Sequence, residues 1–130
     1  MTVQRMKKRI RIKAAFTAVL CAGMLCTGCG GKEKNSNISA GMAAIEELRY
    51  EDALACFDKA LVSGEDKRLI FRGQGLANLG LARYAEAAAA LEQCLSSGSC
   101  IPDAMDYDVN YYLATAYYKA GRSEDAKKVY

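Results

Sequence analysis

Apolar and polar positions divide the chain into four stretches. Met1 to Lys13, "MTVQRMKKRIRIK", is cationic, and Ala14 to Gly28, "AAFTAVLCAGMLCTG", is apolar or small throughout. Gly30 to Asn37, "GGKEKNSN", has no apolar residue. From Ile38 to Tyr130 apolar and small residues recur in a pattern that repeats. "RYEDALACFDKAL" (49–61) matches "RYAEAAAALEQCL" (83–95): Tyr50 with Tyr84, Ala53 with Ala87 and Leu61 with Leu95, each 34 residues apart. Gly41 and Gly75 share that offset. A third copy, "YLATAYYKAGRSEDAKKVY", places Ala126 against Ala87 at an offset of 39, with five extra residues in the turn-forming loop "SSGSCIPD" (96–103). "AEAAAALEQCL" is built of strong helix formers and predicts a helix.

The apolar stretch of 15 residues is short for a membrane span, which needs about 20. Behind six cations it reads as the apolar region of a signal peptide over residues 1–28. The alternatives are a retained N-terminal membrane helix or a buried core helix. Gly30 to Asn37 reads as a flexible tether.

Charge follows the same division. Six of the 18 basic residues (Arg5, Lys7, Lys8, Arg9, Arg11, Lys13) lie in the first 13 positions, and no acid comes before Glu33. The other twelve face all 15 acids, so the chain from Cys29 onward has a net charge of −3. That balance offers no concentrated basic surface, and no nucleic-acid partner is expected.

Cys26-Thr27-Gly28-Cys29 is a literal Cys-x-x-Cys, the spacing of a redox dithiol or half a zinc site. Behind the basic and apolar segments, Leu25-Cys26-Thr27-Gly28-Cys29 also resembles the lipobox of bacterial lipoproteins, with Cys26 where leucine is usual. The resemblance implies cleavage between Gly28 and Cys29 and a diacylglyceryl group on Cys29. It implies a bacterial cell membrane location, lipid-anchored and facing outside the cytoplasm. Cys26 and Cys29 then never share a mature chain. Two acyl chains anchor stably where one binds reversibly.

The 34-residue copies resemble the tetratricopeptide repeat, two antiparallel helices per repeat. Gly41, Gly75 and Ala114 take the small position of the first helix, each 12 residues before Ala53, Ala87 and Ala126. Ala53-Phe57, Ala87-Leu91 and Ala126-Tyr130 take the alanine-to-large step of the second. The usual first-helix tryptophan is absent, with Asn37, Phe71 and Asn110 in its place. Leu48 stands where glycine often turns the chain.

The resemblance implies an all-α helical-hairpin solenoid of about two and a half to three repeats over 38–130, at about 38–67, 68–101 and 107–130. Residues 29–37 are then the lipidated cysteine and tether. The last copy stops inside its second helix, which is expected of a section of a longer protein. Its first helices would line a concave groove through Ile38, Met42, Ile45, Leu69, Arg72, Leu76, Leu79, Asp108, Tyr111, Thr115, Tyr118 and Lys119. Such a groove implies a protein or peptide partner. A structural subunit of an envelope complex is the alternative.

Other chemistry finds little support. With no His, a common acid/base and metal ligand is missing, and no metal or cofactor is expected. "GQGLANLG" (73–80) lies in a helix of the second copy, not in a phosphate loop after a strand. Acidic pairs such as Asp106/Asp108 read as solvated helix faces or caps, so no enzyme is expected. Cys56 and Cys94 read as packing residues. Cys94 and Cys100, six residues apart across a turn, are a candidate disulfide.

Overall fold

The computed structural model describes residues 33–129. The signal segment, Cys29 and Tyr130 lie outside them. The described chain is all-helical, with six helices and no strand among these residues. They are α1 (Ser36–Glu46), α2 (Tyr50–Val62), α3 (Lys67–Gly80), α4 (Tyr84–Ser96), α5 (Ala104–Lys119) and α6 (Ser123–Val129). α1 opens two residues inside the stretch assigned to the tether, because Asn37 is held by Glu65 from the loop before α3.

The caps explain where helices begin. Asp66 accepts from the backbone N–H of Arg68 (2.9 Å) and Leu69 (3.3 Å) and so starts α3. Asp103 does the same for Met105 and Asp106, and the Asp106 carboxylate accepts from the Asp103 N–H at 2.8 Å. This reciprocal pair opens α5 after the loop with the five extra residues.

The helices form three hairpins, and the turn inside each is built alike. Leu48, Ala82 and Gly121 fall at the repeat register, with φ of 60°, 57° and 80°. In each turn the following arginine N–H reaches back five residues, Arg49 to Ala44, Arg83 to Asn78 and Arg122 to Tyr117, at 2.8–2.9 Å. A left-handed residue with such a bond is a standard helix stop, and glycine takes it most easily. Leu48 and Ala82 take it against a strain of roughly 1–2 kcal/mol. We expect Leu48→Gly to stabilise the fold by about 0.5–1 kcal/mol in urea unfolding, after allowing for glycine's greater freedom when unfolded. A loss of stability would refute the strain argument.

Each helix packs on its chain neighbours. Beyond that, α1 packs on α3 and α3 on α5, while no such contact links α2 with α4 or α4 with α6. The first helices of the hairpins therefore lie closer to one another than the second helices do. One core cluster joins α1, α2 and α3 around Phe57 and Ile70, and another joins α3, α4, α5 and α6 around Leu91, Cys94 and Val109. Within hairpins the repeat recurs as contact: a Cβ on Gly41 would meet the Phe57 ring at 2.6 Å, and one on Gly75 would meet Leu91 at 2.5 Å. Between hairpins, Gly73 abuts the other side of Phe57, and Gly80 abuts Tyr50. α3 is glycine-rich because large side chains reach it from α2 on one side and α4 on the other.

Candidate functional site

The row of first helices carries most of the residues expected in a groove. Met42, Ile45, Leu69, Leu76, Leu79 and Thr115 are half-buried, while Tyr111, Tyr118 and Lys119 are exposed. Ile38 is a correction: it is 6 % exposed and packs in the first core cluster. Its backbone N–H donates to Glu65 Oε2 at 3.0 Å, which ties this end of α1 to the loop before α3. Leu79 packs against the second cluster and Met42, Ile45 and Leu69 against the first, so these four are partly spent on packing. Thr115 Oγ1 donates to the Tyr111 carbonyl within α5 at 2.9 Å.

Arg72 does not stand free on this surface. Its Nε and Nη2 donate to Asp108 Oδ2 at 2.8 and 2.6 Å, joining α3 to α5. Beside it, Arg68 Nη1 and Nη2 donate to the two carboxylate oxygens of Asp103 at 2.7 and 2.9 Å, and Nη2 also reaches Asp106 Oδ1 at 2.6 Å. The Asp106 side chain is buried, so of the two readings given to it the structure shows the cap and not the solvated face. The Arg68 Nε is buried without an acceptor among the described residues. The Arg68 hydrogen bonds hold the Asp103 carboxyl well below the usual carboxylate range, and burial only partly opposes them. Asp103 in turn raises Arg68. This cluster is the main feature that sequence reasoning missed. Its signal is two arginines four residues apart, with acids about one repeat downstream.

At the same joint, Tyr117 donates its hydroxyl to Glu92 of α4, the second helix of the preceding hairpin, and the Arg122 guanidinium lies over its ring at 4.3 Å. Burial, and then the Glu92 carboxylate, push the Tyr117 hydroxyl up to about 12, so it stays a donor at neutral pH.

Cys94 and Cys100 are both free thiols. Cys94 is fully buried, and its Sγ donates to the Arg68 carbonyl at 3.3 Å, toward α3 and not toward the exposed Cys100. Burial raises its thiol, against a smaller opposing pull from Arg68 and Arg72. The bridge between them is therefore not formed here. Among the described residues no group of three or more His, Cys, Asp or Glu side chains is placed to hold a metal ion. Among the same residues no helix is long and apolar enough to cross a membrane.

Comparisons with family models, curated proteins and solved structures gave no match to this chain.

Proposed function

We infer that residues 38–130 form a tetratricopeptide-type solenoid that binds a protein or peptide along its row of first helices. One observation carries this: α3 packs on both α1 and α5, while no such contact links α2 with α4 or α4 with α6. Hairpins stacked that way curve, with the first helices on the inner side. The three left-handed turns in register and the paired Gly41–Phe57 and Gly75–Leu91 contacts support the same architecture. The inner surface then offers aliphatic anchors at Leu76, Met42 and Ile45, and polar and aromatic ones at Tyr111, Thr115, Tyr118 and Lys119. With Arg72 neutralised by Asp108, the surface suits a largely apolar segment with a few polar contacts. The role is binding, not catalysis. Cleavage before Cys29 and its diacylglyceryl modification tether the module to the outer face of a bacterial cell membrane.

A photo-crosslinking residue introduced at Thr115 or Tyr118 should give a discrete adduct in membranes, and the same residue at exposed Ala89 of α4 should give none. Adducts at all positions, or at none, would overturn the groove. Labelled palmitate should be incorporated in the wild type and lost in Cys29→Ser. Label that persists in the variant would remove the anchor from the proposal.

A further inference from the structure

One end of the stack gathers the start of the domain and both linkers between hairpins. Asn37, in the first turn of α1, donates through Nδ2 to Glu65 Oε1 at 2.7 Å and to Ser63 Oγ at 3.4 Å, both in the linker after α2. Arg68, in the first turn of α3, reaches Asp103 at 2.7 Å, and its carbonyl accepts from Cys94 near the end of α4. A Cβ on Gly98, in the linker after α4, would lie 3.4 Å from Arg68 Nε. The starts of α1, α3 and α5 and the ends of α2 and α4 therefore share one end, and the turns at Leu48, Ala82 and Gly121 form the other. At each linker of the first end a large aliphatic residue projects into solvent: Val62 is 90 % exposed and Ile101 77 %. Lys34, Lys59 and Lys67 are exposed there too. Of the acids nearby, Glu65, Asp66, Asp103 and Asp106 are engaged in caps and joints, which leaves Glu33 and Asp58.

We propose that this end rests on the surface of the lipid bilayer, with Val62 and Ile101 in its interfacial layer. The docking rests on the reading of Cys29 as the anchor and adds which face the domain turns to the membrane. Chain length favours lipid as the occupant. Seven residues carry the chain from Cys29 to Ser36, a span of at most about 25 Å when fully extended. Asn37 fastens the start of α1 to this end, so an acylated Cys29 holds this end, and not the end with the turns, beside the bilayer. Charge and polarity agree. Aliphatic tips flanked by lysines suit a headgroup layer, where apolar side chains enter by about 5–10 Å and cations meet lipid phosphates. A further hairpin in the same register would pack on α5 and α6, so these two linkers keep their exposure whether or not the stack continues. Docked this way, the helices stand upright on the membrane, and the row of first helices opens sideways to a partner.

The test uses the acylated full chain in vesicles of phosphatidylcholine and phosphatidylglycerol, with and without brominated lipid. The chain has no tryptophan, so Val62→Trp, Ile101→Trp and Leu48→Trp each report one position. Emission from Val62→Trp and Ile101→Trp should shift to shorter wavelength on the vesicles. Brominated lipid should quench it severalfold more than emission from Leu48→Trp, at a residue 70 % exposed at the far end. Circular dichroism of each variant checks that the helices persist. Equal quenching of all three, or none at positions 62 and 101, overturns the docking. A shift at those positions that grows with protein density and is not quenched by bromine makes a second copy the occupant and also overturns it. Flotation with the vesicles, compared between wild type and Cys29→Ser, separates this failure from that of the anchor. Flotation lost in the variant, with unquenched tryptophans, rejects the docking and keeps the anchor. Flotation kept in the variant removes the anchor and, with it, the distance argument and the docking.

Discussion

Phe57→Ala is expected to destabilise the helical stack by about 3–5 kcal/mol, the range for truncating a buried phenylalanine. The ring is fully buried, and it is clasped by glycines of two different helices, Gly41 on α1 and Gly73 on α3. Removing it opens a gap that helix backbones cannot easily close. For a domain of this size, total stability is roughly 5–15 kcal/mol, so the loss is a large fraction of it. Gly73→Ala is the informative partner. In the wild type its methyl would overlap the Phe57 ring, an overpacking of about 1–3 kcal/mol. In the Phe57→Ala background the same methyl enters the vacated space, and alanine's helix propensity adds up to about 1 kcal/mol. Gly73→Ala should then change sign from destabilising to stabilising. Urea unfolding of the four proteins in the cycle measures this, and additive effects would show that the ring and the glycine do not share the space.

Arg68→Met should be the second large loss, about 3 kcal/mol, because it leaves the buried Asp106 carboxylate without its cation. The variant keeps an unbranched apolar stem and removes the guanidinium, so the charge and its hydrogen bonds are lost together. A pH series adds a sign. Asp103 has a depressed native pKa, so the unfolded chain takes up its proton first as pH falls. The Arg68–Asp103 contribution is present above the ordinary aspartate value of about 4 and fades as pH drops below it toward the native value. Wild-type stability should therefore fall on acidification through that window, and Arg68→Met should show a shallower slope. Parallel slopes would mean that other carboxylates, and not this pair, govern the acid response. Because Asp103 and Asp106 also cap α5, the same loss should fray that helix from its N-terminus.

Much of the architecture was legible in the chain. The 34-residue offset paired Gly41 with Gly75 and Phe57 with Leu91, and the structure sets each glycine against the large residue of its own hairpin. Leu48 was legible as standing where glycine often turns the chain, and the structure gives the same left-handed turn to Ala82 and Gly121 at the repeat register. The surface of the first helices was legible only in part. Thr115, Tyr118 and Lys119 lie on α5, but Ile38 is buried and Arg72 is held by Asp108. Amphipathic spacing says which face of a helix is apolar. It does not say whether that face meets its own hairpin, the next hairpin or solvent.

That distinction separates the two sources of information. The sequence by itself determined the all-helical class and the repeat of small and large positions, because these depend on propensity and spacing within about one repeat. The tertiary structure decided what joins one hairpin to the next. Gly73 matters because Phe57 reaches it from the preceding hairpin, and Arg68 because Asp103 and Asp106 arrive from the following one. Residues 35 and 38 positions apart come within hydrogen-bond distance only when the hairpins stack, and the angle of that stacking is set by all the contacts together.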